Sequence, residues 1–194
     1  MIAGIILAGG RASRMGGGDK PLRLLMDRPI LTHILDRLAP QVGPLALSAN
    51  GNPARFAAFG LPVLADLLPD QPGPLAGVLA GLDWATGLGA QALVTVSGDT
   101  PFLPVDLVAR LDAPGGLTLA ASHAPDGALR RHPTVALWPT DLRDTLRQVL
   151  ATGERRMGRC LTALGAREVV FSGKPDPFFN INTPQDLALA ETLA

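Results

Sequence analysis

The densest chemical signal in the sequence is the run Leu7-Ala8-Gly9-Gly10-Arg11-Ala12-Ser13-Arg14-Met15-Gly16-Gly17-Gly18-Asp19-Lys20. It holds five glycines in fourteen residues and ends on a lysine. Glycine lets the backbone come close to an anion and turn several N–H groups toward it. Arg14 and Lys20 add cationic donors of the kind that suit a triphosphate. Two familiar phosphate motifs are absent. A Walker loop needs Gly-Lys-Ser or Gly-Lys-Thr, whereas Lys20 stands between Asp19 and Pro21, and the G-x-G-x-x-G spacing of dinucleotide sites is missing. A plain connecting loop is the alternative, but connections rarely combine this length, this glycine content and paired basic residues.

A second signal is Gly98-Asp99-Thr100-Pro101. A lone carboxylate at the end of a strand, facing a phosphate loop, is where a magnesium ion would sit, since magnesium takes one or two protein carboxylates and fills its shell with phosphate and water. Asp-Thr-Pro is also good turn chemistry, and the phosphate loop tips the reading to Asp99 as a metal ligand. In Pro72–Leu82 the glycines Gly77 and Gly81 stand four apart, which close packing of a helix on a sheet explains, while the helix start near Gly73 offers N–H groups to a nucleotide. Of the three histidines, His33 reads as structural, and none has the cysteine or HExxH company of a metal site. His132-Pro133, preceded by Arg130 and Arg131, reads as part of a loop. Arg155-Arg156 forms a second basic pair, and Asn180 and Asn182 a polar pair before the last helix. No serine has a histidine and an acid patterned around it for nucleophilic hydrolysis.

These residues need a frame. Short apolar runs at 3–7, 45–48, 62–65, 92–96, 117–121, 134–137 and 167–171 read as strands buried on both faces. Helical patterns follow Pro29, run from Pro74 to about Thr86 and from Pro104 to Leu111, and cover 141–150. Thr183-Pro184-Gln185-Asp186 combines a cap, a first-turn proline and an acid three residues on, which places a last helix at 184–193. Alternating strands and helices imply a single α/β domain over 1–194, a three-layer α/β/α sandwich around a mostly parallel, Rossmann-like sheet. Ligands of such sheets bind beyond the carboxyl ends of the strands. That rule selects the loop after Leu7, Ser48-Ala49-Asn50, Asp66 and Gly98-Asp99.

Composition closes off other classes. With 47% hydrophobic residues and 17 basic against 17 acidic side chains, the chain is globular and carries no field to draw nucleic acid or an anionic membrane. One cysteine, Cys160, permits no intrachain disulfide and suits a reducing compartment. The apolar start lacks a preceding basic region, and Arg11 and Arg14 follow it, the wrong order for a signal peptide. A cytosolic protein is expected.

Laid in order, six segments carry a resemblance: LAGGRASRMGGGDKPL at 7–22, PGPLAGVLAGL at 72–82, GDTPFLP at 98–104, HPTVALW at 132–138, GERRM at 153–157 and FNINTPQDL at 179–187. The chain resembles the molybdenum cofactor guanylyltransferase family, within the larger glycosyltransferase-A-like nucleotidyltransferases. The opening motif is common to many nucleotidyltransferases, and HPTVALW, GERRM and NINTP select the molybdopterin branch. The resemblance implies that GTP and molybdopterin, or its molybdenum-loaded form, are the substrates and that magnesium is the cofactor. It implies a nucleotide site at Leu7, Ala8, Gly9, Lys20, Ser48, Asp66 and Asp99, and a pterin site at Arg14, Pro101, Phe102, Asn180 and Asn182. Lys20, Arg14 and Asp99 would carry catalysis, with Asp99 on the metal. Ser48 departs from the asparagine common in the family, which would pass part of its contact to Asn50, and Ser97-Gly98 replaces a frequent Pro-Cys. The implied protein partners are molybdenum-insertion and molybdoenzyme-maturation proteins, around a monomeric enzyme. Two other readings stay open: a CTP-dependent or sugar-phosphate nucleotidyltransferase, and a non-catalytic nucleotide-binding cofactor chaperone.

Overall fold

The structure is a computed structural model that describes residues 1–9, 17–66, 73–124 and 126–193. Arg11 and Arg14 lie outside the described residues, so the roles expected for them are not placed.

Strands β1 (Ile2–Leu7), β4 (Leu45–Ser48), β5 (Val63–Leu64), β6 (Ala92–Ser97), β7 (Thr118–His123), β8 (Leu129–Pro139) and β9 (Arg167–Phe171) form one sheet in the order β5-β4-β1-β6-β8-β7-β9. All neighbours pair in parallel except those of β8, which runs antiparallel to β6 and β7. A short hairpin, β2 (Leu24–Leu25) and β3 (Arg28–Pro29), stands apart. Its tight turn puts Met26 and Asp27 at positive φ.

Alternation along β1 explains the layers. Ala3 and Ile5 face a core shared with Leu75, Val78, Leu79, Leu93, Trp138, Leu146 and Leu161, while Ile6 and Ala8 face one built with Ile30, Leu31, Ile34, Leu107 and Phe178. Helices α2 (Pro74–Gly87), α4 (Arg143–Ala151) and α5 (Met157–Ala163) cover the first face. Helices α1 (Ile30–Leu38) and α3 (Leu107–Asp112), joined by Ala190 of α6 (Pro184–Leu193), cover the second. The expected three-layer α/β/α sandwich with a mostly parallel sheet is the architecture observed.

Three local expectations are corrected. Pro104 does not open a helix: α3 begins at Leu107, and residues 100–106 are turns and irregular backbone. The sequence pattern missed α5, a seven-residue helix whose apolar face is only Met157, Cys160 and Leu161. His132 lies in a strand, because β8 reaches back to Leu129. Pro133 has no N–H for a ladder, and it stands opposite a register break between Leu119 and Ala120 where none is required.

That extension buries His132 at 5% exposure, its Nε2 2.8 Å from Ser122 Oγ and its ring 4.6 Å from that of Phe178. Burial pushes the imidazole below its usual value; nearby Asp176 pulls the other way and Arg130 reinforces the fall. A base whose folded value is depressed binds fewer protons in the folded state, so stability rises with pH and is lost as pH falls below about 6.5. His132→Gln should therefore flatten the decline of melting temperature between about pH 7 and 5. A decline of unchanged steepness would assign it to other groups.

Candidate active site

Sheet register sets the floor of the site. Leu7 is level with Ser48 of β4 and Ser97 of β6, and Ser48 is level with Leu64 of β5. The chain leaves all four strands along one row, and above it opens a cavity of about 1060 Å³. Leu7, Gly9, Gly17 and Gly18 line it from the phosphate loop, Ser48, Asn50 and Asp66 from the next two loops, and Gly73, Pro74 and Gly77 from the start of α2.

Helix α2 can approach this closely only because of its glycines. A Cβ at Gly81 would meet Ile5 Cδ1 and Leu93 Cδ2 at 2.8 Å each, and one at Gly77 would stand 2.3 Å from Ser48 Oγ. The packing expected for the pair holds at both positions, and Gly77 also forms cavity wall.

Of the residues expected at the nucleotide, Leu7, Gly9, Ser48 and Asp66 line the cavity. Ala8 does not: it is fully buried, and its N–H donates to the Ser48 carbonyl at 2.8 Å, so it holds β1 to β4 and has no amide left for a ligand. Asn50 Nδ2 donates to Asp66 Oδ2 at 2.7 Å, and the Asp66 N–H donates to Asn50 Oδ1 at 2.9 Å. The Asn50 amide is thus spent on orienting Asp66.

Beside the cavity stands a compact ionic cluster. Lys20 Nζ donates to Asp99 Oδ2 at 2.9 Å and to Asn182 Oδ1 at 2.7 Å, with the Lys20 and Asp99 side chains each 14% exposed. Ser97, on the cavity wall, donates from Oγ to Asp99 Oδ1 at 2.6 Å and so links cluster and cavity. Gly98 makes the approach possible, since a Cβ there would come within 2.8 Å of Pro21 Cγ and 3.1 Å of the Leu7 carbonyl.

The C-terminal arm is fixed to the same point. The Ile181 N–H donates to the Asp99 carbonyl at 3.0 Å. Asp186 accepts the N–H groups of Asn182 and Thr183 at 2.9 Å each, and Thr183 Oγ1 accepts the Asp186 N–H at 3.1 Å, which is the expected capping box. Burial would push the Asp186 carboxyl up, but the bonds from Asn182 and Thr183 outweigh it and hold it below the usual carboxylate range. Asn182, expected on the pterin, is therefore a direct partner of Lys20. Asn180 is half-buried two residues before it. Pro101 and Phe102, expected on the pterin, are buried, and the Phe102 ring lies 6.4 Å from that of Phe179 on the arm.

Other candidates fall away from the site. His33 Nε2 lies 2.8 Å from the Leu25 carbonyl and secures the hairpin. Arg131 pairs with Glu168 on β9. In GERRM, Glu154 accepts the N–H groups of Arg155 and Arg156 at 2.9 and 2.7 Å, and the Arg155 guanidinium donates to the Leu150 carbonyl at 2.9 Å, so half of that basic pair is structural. Burial, with Glu154 nearby, pushes the Cys160 thiol up to about 11, which leaves it neutral and no nucleophile.

A divalent cation fits the donor set. Among the described residues no group of three or more His, Cys, Asp or Glu could cage a metal alone. Asp99 offers one carboxylate that already accepts a cation in the form of Lys20, which matches an ion held mainly by phosphate and water.

Fold and site together define an α/β nucleotidyltransferase. Residues 4–170 match the MobA-like NTP transferase domain. Among curated proteins, the molybdenum cofactor guanylyltransferase of Mesorhizobium japonicum is 53% identical, covering 99% of this chain and 95% of its own, and that of Bradyrhizobium sp. is 49% identical, covering 100% and 93%. The chain belongs to the MobA-like NTP transferase family and, within it, to the molybdenum cofactor guanylyltransferases. Among solved structures, molybdopterin-guanine dinucleotide biosynthesis protein A from Archaeoglobus fulgidus superposes with a TM-score of 0.73 at 21% identity, over 99% of this chain and 97% of that one. CMP:2-keto-3-deoxy-manno-octonic acid synthetase gives 0.71 at 15%, over 99% and 97%. These two likenesses speak for the fold. No helix among the described residues is long and apolar enough to cross a membrane.

Proposed function

We propose that the protein transfers GMP from GTP to the terminal phosphate of molybdopterin, forming molybdopterin guanine dinucleotide and releasing pyrophosphate. The observation that carries this reading is the Lys20–Asp99–Asn182 cluster, joined through Ser97 to a cavity large enough for a nucleotide. A pterin phosphate oxygen attacks the α-phosphorus of GTP, a new P–O bond forms, and the bond to the β-phosphate oxygen breaks. The attacking group is already an anion, so no protein base is required. Catalysis then consists of alignment and charge neutralisation. Gly9, Gly17 and Gly18 allow the backbone near the triphosphate, and Lys20 neutralises it. Ser48 and Asp66, the latter set by Asn50, take the base and ribose. Asn180 and Asn182 receive the pterin with Arg14. Magnesium on Asp99 supplies Lewis-acid neutralisation of phosphate charge when bound. The enzyme acts as a cytosolic monomer that receives its pterin from molybdenum-insertion proteins and passes the product to molybdoenzyme-maturation proteins.

Base choice tests this reading. Guanine presents two donors beside its O6 acceptor, and a site that pairs them leaves buried groups unmatched with another base, at about 1–3 kcal/mol each. With GTP, CTP and ATP competing at equal concentration, GTP product should exceed either rival by about ten- to a hundredfold. Predominant CMP transfer would move the protein to a cytidylyl activity with the same mechanism.

A further inference from the structure

Arg55 has no place in the site drawn above, yet it is firmly anchored on the cavity wall. It comes from a 3-10 segment, Pro53–Phe59, opened by Asn52, whose Oδ1 accepts the Ala54 N–H at 2.9 Å, and closed by Gly60 in the left-handed region. The segment turns Arg55 back over its own loop. Nη1 donates to the Asn52 carbonyl at 2.5 Å and Nη2 to the Asn50 carbonyl at 2.6 Å, and the guanidinium lies 4.7 Å over the ring of buried Phe56. Its remaining edge crosses to the phosphate loop, with Nε 2.7 Å from Asp19 Oδ2 and the two side chains 25% and 24% exposed.

Two details show that this contact is not simple packing. Arg55 Nε is the one buried side-chain nitrogen or oxygen among the described residues without a formed hydrogen bond, so the 2.7 Å approach to Asp19 is a charge contact with poor alignment. Asp19 caps the turn Lys20–Leu22 with its backbone alone, and its carboxylate makes no cap bond there. That carboxylate lies on the cavity wall next to Gly17 and Gly18, where a triphosphate would meet it as a like charge. Asp19 is also the residue before Lys20.

We infer that Arg55 is a nucleotide-positioning residue: it neutralises Asp19 and ties the Lys20 end of the phosphate loop to the loop carrying Asn50, which in turn holds Asp66. It thereby couples the phosphate end of the cavity to the base end. The inference rests on the triphosphate reading of the cavity.

The test is GTP affinity by calorimetry, with steady-state kinetics and melting temperature, on wild type, R55Q, R55K and the D19N–R55Q pair. R55Q should weaken GTP binding by about tenfold, as expected for a charged contact of this exposure. The loss should appear in KM for GTP more than in kcat, at a melting temperature close to wild type. R55K, which keeps the charge but not the fork, should recover part of the affinity. D19N added to R55Q should recover several-fold, because the uncompensated carboxylate is gone. Unchanged affinity in R55Q, or a double variant no better than R55Q, overturns the inference. If wild type binds CTP in place of GTP, the guanine reading fails while the same four proteins, run with CTP, still decide the role of Arg55. If wild type binds no nucleoside triphosphate, both fall.

Discussion

Asp99→Asn is expected to lower kcat by about a hundredfold or more, the usual loss when a main electrostatic stabiliser of a phosphoryl-type transition state is removed. The substitution is nearly isosteric. The asparagine oxygen can take the place of Oδ2 and accept from Lys20 Nζ, 2.9 Å from the native carboxylate, while its Nδ2 takes the place of Oδ1 and donates to Ser97 Oγ, whose hydroxyl turns to accept. The Asp99 main-chain carbonyl still receives the Ile181 N–H that holds the C-terminal arm. Fold and arm should thus survive, and what disappears is a negative charge able to share a divalent cation with the triphosphate. Far-UV circular dichroism and melting temperature should stay near wild type while pyrophosphate release collapses. Near-normal, magnesium-dependent turnover by the folded variant would remove Asp99 from the metal site.

Lys20→Met should cut kcat/KM for GTP by a comparable factor, about a hundredfold, for a complementary reason. The ammonium is lost, and Asp99, only 14% exposed, is left as an uncompensated negative charge beside an incoming polyanion. Asn182→Ala offers a graded comparison. It takes one of the two anchors from Lys20 Nζ, the amide oxygen at 2.7 Å, and leaves Asp99 in place. Its effect should be smaller, about five- to tenfold, and it should appear with the nucleotide as well as with the pterin. Lys20→Met within about threefold of wild type would mean that the loop holds phosphate by its amides alone.

The elements most readily legible in the sequence were those whose signal is local. The apolar run at β4 and the capped start of α6 have the bounds that their composition implies, because double burial and a capping box are written in consecutive residues; β9 keeps its expected bounds too, but as an edge strand only its Phe171 is buried, not both faces. Where the third dimension decides, the pattern was blind. The largely polar segment Leu129–His132 becomes strand only because β7 is there to pair with it, and α5 shows too few apolar positions to announce a helix. The site divides in the same way. The glycine loop, Lys20, Asp66, Asp99 and the two asparagines stand out by type and spacing. That Asn182 reaches Lys20, that Ala8 spends its amide on Ser48, and that Arg55 meets Asp19 depend on contacts across the sheet's carboxyl edge. Arg55 in particular carries no motif, since an arginine in a proline-alanine segment reads as solvated surface.

The central claim is that this chain moves a nucleotidyl group and does not merely hold a nucleotide. GTP labelled in parallel at the α- or the γ-phosphate, incubated with magnesium and molybdopterin, separates the two directly. Nucleotidyl transfer puts the α-label into the pterin dinucleotide and the γ-label into pyrophosphate, both in proportion to enzyme and time. GTP that binds tightly yet returns with both labels intact would contradict transfer and leave a cofactor-holding module in its place.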